Sequence, residues 1–490
     1  MEQRTLFDRA ATAAYEDIPA ILVELDEALV RNPQSAAFWH AKGVLLVQLD
    51  RREEALAAFD RAVELAPHHA GLALGRADTL LQAGLPSVDA YAAAMKAGPG
   101  NPGAVLGLTE ALLFEGRTAE AIAGLDALTA KASDWTPGLE QLSRIRWMEG
   151  ERDDFASGFE RATAANPTNL EIRRAHLIAL VHAGRFDAVD AVIADGRRHV
   201  GNDVLFDAHE AIVASERGDL QRADRLFAAL GDTGDTSITI WRMRLLLRLG
   251  RPEEVSELFK RFTDHPDRDL VIPYASIAWR MTGDPRWAWL EGNERLVGIY
   301  DLADRLPPLS ELASHLRTLH RVRGQQLEQS VRVGTQTHGD LLLQIHPLIR
   351  RTAEVIKEAV TEHVAQLPAS DPTHPLLSAP RGRPVRFAGS WSVRLTSGGH
   401  HANHIHPMGW LSSAMYIALP AAATDGSRQG WLTLGQPQAE LGLDLPPIRV
   451  VEPRPGRLVL FPSTMWHGTV PFKGDGQERL TIAFDVARPQ

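Results

Sequence analysis

FWHAKGVLLVQLDRREEALAAFDRAVELAP, Phe38 to Pro67, decides the architecture of the first half of the chain. Apolar residues recur at three- and four-residue steps on both sides of Asp50-Arg51-Arg52. The stretch therefore predicts two amphipathic helices joined by a tight turn. Pro33 and Pro67 stand 34 residues apart. Asn-Pro returns at Asn101-Pro102 and Asn166-Pro167. Polar breaks at Glu115-Gly116-Arg117, Glu149-Gly150-Glu151, Ala183-Gly184-Arg185, Arg217-Gly218-Asp219 and Leu249-Gly250-Arg251 predict more turns between paired helices, ending near His265-Pro266. One helix pair cannot bury its own apolar face, so stacked neighbours must supply the core.

The period, with Trp39, Gly43, Ala55, Phe59 and Pro67 in their places, resembles a tetratricopeptide repeat, and the later units are degenerate versions of it. The resemblance implies an α-solenoid over residues 1–266, with a concave surface that holds a protein or peptide. The alternative is that these helices only support or dimerise the C-terminal domain, which leaves a homo-oligomer open.

The chain has 490 residues, too many for one core. A net charge of −10 argues against a nucleic-acid binder. There is no cysteine, which removes disulfides, thiolate metal sites and cysteine nucleophiles. Any transition metal must then be held by His, Asp or Glu. Met1–Ala10 carries charge where a signal peptide needs an apolar stretch. No apolar run reaches the ~18 residues of a membrane span, so no membrane association and a cytoplasmic location are expected.

Residues 267–325 read as a helical joint that no longer repeats. Its Trp279, Trp287 and Trp289 call for burial, with an aromatic cage as the alternative. From Pro347 the pattern is one amphipathic helix to Leu367, with Pro suited to the first helical position. A Pro-rich loop, Pro368 to Pro384, follows. The period then changes to two. Strands are expected at Arg386–Leu395, Gly430–Leu434, Ile448–Val451, Arg457–Phe461 and Leu480–Val486, the spacing of a sandwich or jelly roll.

Four histidines, His400, His401, His404 and His406, fall within seven residues. On a strand, His404 and His406 point to the same face and can take neighbouring positions on one metal. His467, after the strand Arg457–Phe461 and a Pro-Ser turn, is the candidate third ligand. Such a facial set leaves positions open for substrate and O2. The alternative is a closed structural zinc site with His401 as fourth ligand. Arg479, Thr481, Ala483 and Asp485 share one face of the last strand, while Leu480, Ile482, Phe484 and Val486 face the core. Arg479 and Thr481 together would clamp a carboxylate. The alternative pairs Arg479 with Glu478 or Asp475.

With those residues in place, QSVRVGTQT (Gln329–Thr337), GSWSVRL (Gly389–Leu395), HANHIHPMGWLSSAMYIALP (His401–Pro420), GRLVLFPSTMWHGTVPF (Gly456–Phe472) and ERLTIAFDV (Glu478–Val486) resemble the 2-oxoglutarate–Fe(II) oxygenases that are fused to tetratricopeptide repeats. The resemblance implies an α+β multidomain chain with a double-stranded β-helix (jelly-roll) domain over 326–490. It implies Fe(II) on His404, His406 and His467, with 2-oxoglutarate and O2 as co-substrates in a C–H hydroxylation. Arg479 with Thr481 and Tyr416 would hold the far carboxylate of 2-oxoglutarate, and Gln336, Thr337, Trp391 and Arg394 would line the pocket. One departure stands out. The superfamily pattern is His-x-Asp or His-x-Glu, and here its third position is His406. Three neutral imidazoles leave the site one negative charge short, and Asp485 is a candidate to enter the shell. Two alternatives remain: a three-His metal enzyme of cupin type that does not use 2-oxoglutarate, and a non-enzymatic repeat scaffold with a metal-binding jelly roll.

Overall fold

The computed structural model describes residues 2–324, 327, 329–474 and 476–489, so the expected domain boundary at 325/326 lies outside the described residues. The chain divides into two compact units, residues 1–124 with 337–354, and residues 125–336 with 355–490.

In the first unit the quoted stretch forms helices Ala36–Gln48 and Arg52–Leu65. Phe59 is buried at their contact. A Cβ on Gly43 would come within 2.9 Å of the Phe59 ring, and one on Gly75 within 2.8 Å. That close approach explains why a glycine stands inside a helix at position 43 despite its entropic cost. Helices Ala70–Gln82, Val88–Ala97 and Pro102–Phe114 come next along the chain. Residues 337–354 return to this unit: the Ile345 N–H donates to the Ala83 carbonyl at 3.0 Å, and Arg350 pairs with Glu53 at 2.9 Å.

The period is also written in the backbone. Asp50, Gly84, Gly116, Gly150, Gly184, Gly218 and Gly250 all have φ between 61° and 90°. Each ends the first helix of a pair in the left-handed conformation that stops an α-helix. Starts are as legible as stops. Asn101, Asn169 and Asp235 each accept from the N–H groups two and three residues on, which satisfies donors that a helix start leaves free.

The second unit continues the helix pairs from Thr136–Met148 to Pro252–Phe259. It then adds helix Arg268–Thr282, in which Trp279 is buried as expected. Within the stretch read as helical, Gly298–Asp301 is instead a strand, β1. Four residues with one Ile and one Tyr carry too little period to reveal it. The others are β2 (Val331–Gln336), β3 (Phe387–His401), β4 (Leu411–Ala418), β5 (Leu432–Leu434), β6 (Arg449–Val451), β7 (Arg457–Pro462), β8 (His467–Thr469) and β9 (Arg479–Val486). One antiparallel sheet has the order β1-β7-β4-β9-β3-β2 and a second the order β6-β5-β8. The sheets meet through Tyr416, Leu432, Leu434, Val451, Val459, Phe461 and Met465. The helical repeat region and the sheet region are thus present as expected. Among the described residues the ladders define two sheets and no closed barrel. No helix of the described residues is long and apolar enough to cross a membrane.

Candidate metal centre

His404 does not sit on a regular strand. It makes a single antiparallel bridge with His467, each N–H donating to the other's carbonyl at 2.9 and 3.0 Å. Two residues on, the His406 N–H donates to the Ser463 carbonyl at 2.9 Å. The extended backbone still alternates. Ile405, between the two histidines, and Trp466, next to His467, both pack into the helical core around Trp279. The indole N–H of Trp466 donates to the Pro273 carbonyl at 3.0 Å. Burial of these two apolar side chains on one side turns the three imidazoles to the other.

There the ring centroids of His404 and His467 are 4.1 Å apart, those of His404 and His406 4.9 Å, and those of His406 and His467 5.1 Å. One nitrogen from each lies within 4.8 Å of the others. The three Nδ1 atoms are all engaged. His404 Nδ1 donates to the Ala402 carbonyl at 2.8 Å, and His467 Nδ1 to the Met465 carbonyl at 3.0 Å. His406 Nδ1 lies 2.7 Å from the Asp485 carboxylate. A carbonyl only accepts, so in neutral His404 and His467 the proton sits on Nδ1 and Nε2 is an unprotonated acceptor. Trp391 stacks on His406, and Phe461 packs against His467. Burial, aided by His406, pulls the His404 imidazole down to about 3. Burial, with His404 second, holds His467 well below the ordinary imidazole value. Both rings are therefore neutral across the physiological range, the state a metal needs.

The three histidines open on a cavity that also receives Gln336, Trp391, His401, Arg479 and Thr481. Arg479 is 1% exposed, yet its Nε and Nη1 have no partner. Its guanidinium lies 5.1 Å from the centre of the Tyr416 ring, and burial lowers its pKa while Tyr416 opposes that shift. Glu478 pairs with Arg317 and Arg394, not with Arg479, and Asp475 lies outside the described residues. Tyr416, Thr337 and Arg394 are not among the cavity-lining residues. Arg394 sits opposite Leu480 in the β3–β9 register, on the other face of the sheet from Trp391 and Thr481. Its guanidinium is spent on Glu478 at 2.6 Å. His401 stands beside the triad, its Nδ1 3.0 Å from Ser330 Oγ. Two supports were not foreseen. Ser330 Oγ is also 3.1 Å from His404 Nε2, and Ser412 Oγ donates to Asp485 Oδ1 at 2.6 Å. Ser330 carried no signal. Asp485 did, through its place on the Arg479 face of β9.

A family model described as "Putative 2OG-Fe(II) oxygenase" matches residues 389–485, and one described as "Tetratricopeptide repeat" matches residues 88–142. The chain joins a tetratricopeptide region to a 2OG-Fe(II)-oxygenase-like domain. Among solved structures it is similar to YrrB, titled a TPR protein with an unusual peptide-binding site (18% identity, 37% of this chain and 95% of that one, TM-score 0.26). It is also similar to a tetratricopeptide repeat protein from Parabacteroides merdae (14%, 50% and 99%, TM-score 0.32) and to yeast Tom70 (16%, 56% and 62%, TM-score 0.35). No curated protein matches it.

Within this oxygenase-like domain the metal-ligating group is His404, His406 and His467, with no Asp or Glu among the described residues that form it. That overturns the expectation of an Fe(II)/2-oxoglutarate dioxygenase, and with it Fe(II), 2-oxoglutarate and O2 as the cofactor set. The chemistry rests on two histidines and one carboxylate, whose negative charge is part of the ligand field. Asp485 does not repair the set, because it lies behind His406 on the ring's far nitrogen.

Proposed function

We propose that the sheet domain is a three-histidine metal enzyme of cupin type that works without 2-oxoglutarate. His404, His406 and His467 would hold one divalent transition metal of the imidazole-preferring kind through Nε2. The observation that carries this reading is the convergence of three imidazoles whose Nδ1 atoms are each tied to an oxygen. Metal-binding histidines are held in this way, by a carboxylate or a carbonyl on the distal nitrogen. When bound, a metal with three protein ligands and open positions supplies Lewis acidity to a substrate oxygen.

The chain's own residues set the substrate class. Arg479 is a buried cation with unpaired N–H groups on the same cavity. An unpaired charge in that setting is costly until an anion meets it. The substrate is therefore a small molecule bearing a carboxylate, seated between Arg479 and the histidines with Thr481 alongside. Trp391 and Phe461 exclude water from the two imidazoles they cover. The helical repeats would hold a protein or peptide partner. Residues 1–266, 267–325 and 326–490 remain the working division into repeats, joint and metal domain.

Titration of the purified chain with Co(II), followed by its visible absorption, tests the reading. One equivalent should bind, and His467→Ala should abolish it while the circular dichroism of the fold is kept. Equal Co(II) binding in His467→Ala would remove this centre from consideration.

A further inference from the structure

Polar side chains on the repeat helices mostly settle on their own backbone. The hydroxyls of Thr79, Thr109, Thr129 and Thr239 each donate to the carbonyl four residues back, at 2.6 to 2.9 Å. The Nδ1 atoms of His199 and His209 do the same, at 3.0 and 2.7 Å. Three groups break this habit together. Thr163 Oγ1 in helix Ser157–Ala165, and Arg173 Nη1 and His176 Nδ1 in helix Leu170–His182, are buried with no partner. Arg173 is 0% exposed and His176 3%. Buried polar atoms are nearly always hydrogen-bonded, so three left over in one place point to a partner from outside the chain.

All three residues line one groove of about 510 Å³ in the second unit. It lies between the second helices of two successive pairs, Ser157–Ala165 and Phe186–Val200, with residues of Leu170–His182 at its floor. Ala164, Ala188 and Ala191 on its walls leave its width open. The charges then decide what fits. Arg173 is already paired with Asp195 at 2.8 Å, and its Nε and Nη2 hold the Pro167 carbonyl. Asp195 and Glu160 set two carboxylates on the lining against this one arginine, so a second anion would be repelled. Burial, with Arg173 second, pulls His176 to about 4, so the ring meets a ligand neutral, with one donor and one acceptor nitrogen. Arg173 Nη1 only donates, and the Thr163 hydroxyl does either. A neutral group that carries an acceptor and two donors side by side matches this set, and a carboxamide is such a group.

We propose that this groove binds the side-chain carboxamide of a glutamine or asparagine in a peptide partner, its carbonyl oxygen accepting from Arg173 Nη1 and its NH2 donating to His176 Nδ1 and Thr163 Oγ1. The site shares no lining residue with the metal centre and does not rest on the three-histidine reading. Its selectivity follows from Asp195. That carboxylate cancels the charge of Arg173 and leaves only neutral hydrogen bonding to offer, whereas Arg479 has no acidic partner and calls for an anion.

The test uses the full chain with labelled histidine side chains, and acetyl-glutamine N-methylamide as the probe. His176 and His199 both line the groove, and their NMR signals are assigned by their loss in His176→Phe and His199→Gln. The probe should shift both signals, and acetyl-glutamate N-methylamide at neutral pH should shift neither. Thr163→Val keeps the shape and removes one neutral hydrogen bond, so it should weaken the probe about fivefold. Its melting should match wild type, because the hydroxyl bonds nothing in its own helix. His176→Phe, read at His199, should weaken the probe by a similar factor and serves should the Thr163 variant fail to fold. No shift up to the solubility limit of the probe would mean that water alone fills the groove, and would overturn the proposal. Equal binding of the glutamate probe would overturn the carboxamide, and unchanged affinity in both variants would place the probe elsewhere and overturn the site.

Discussion

The helical repeats and the metal centre bury polar groups for opposite ends. In the repeats, Arg173 is fully buried, with Nη1 alone left without a partner, and its Nη2 meets the Pro167 carbonyl and Asp195 at 2.7 and 2.8 Å. In the sheet domain, Arg479 is as deeply buried and has two nitrogens with no partner, beside three histidines with one ring nitrogen each within 4.8 Å of the others. The first arrangement closes a turn between helices. The second sets an arginine without an acidic partner beside three converging histidines, as binding sites do. His176 in the repeats and His404 in the centre show the same contrast. Burial pulls both down, to about 4 and about 3, but His176 lies flat on Phe159 and has no second imidazole beside it.

Acid should expose the structural histidines first. His176, His320 and His363 are each pulled to about 4, burial being the leading cause. Their folded pKa values lie below the unfolded value near 6.5. Above pH 6.5 neither state binds the proton, and these groups leave stability unchanged. As pH falls from 6.5 to 4 the unfolded chain takes up protons that the folded chain refuses, and stability falls by up to roughly 3 kcal/mol for each group. Denaturant melts of His176→Phe between pH 7 and 4.5 should show a shallower fall than wild type. An unchanged slope would mean His176 is not held neutral.

Asp485→Asn sharpens the contrast next. It removes the carboxylate that orients His406 and should weaken Co(II) binding by about 10- to 100-fold with little change in melting. A large loss of stability with unchanged metal affinity would make Asp485 a structural residue like Asp195. Arg479→Met should then keep or raise stability, by about 1 kcal/mol or more, because it removes an uncompensated buried charge and keeps much of the shape. Thermal melts check this. Marked destabilisation would show that Arg479 is charge-paired within the fold, as Arg173 is with Asp195. The smallest effect belongs to the repeats. Gly184 has φ 67° and open space around the position of a Cβ, so Gly184→Ala carries only the backbone cost, about 1 kcal/mol, and Gly184→Asn less. Equal stability of all three forms by denaturant titration would deny that the left-handed turn sets the period.

Legibility in the sequence divides along the same line. Local patterns were plain: the 34-residue step from Pro33 to Pro67, the Asn-Pro recurrence, the alternation of β9, and His404-Ile405-His406. The family model finds its tetratricopeptide match at 88–142, later than the Phe38–Pro67 unit that carries the plainest helix pattern. Pairing across distance needed the fold. Ser330 reaches His404 only because the end of β3 and the start of β2 lie side by side. Asp485 reaches His406 only because β9 runs beside β4. Arg394 was misplaced for a reason the sequence itself contained. It stands three residues from Trp391, and on a strand an odd step changes face. The single acid missing at position 406 was visible from the start, and it is what removed iron and 2-oxoglutarate.

The most direct measurement is X-ray absorption at the cobalt edge of the Co(II)-loaded chain. Three imidazole nitrogens should appear in the metal shell, falling away with the metal in His467→Ala. A shell containing a protein carboxylate, or fewer than three imidazoles, would contradict the three-histidine centre.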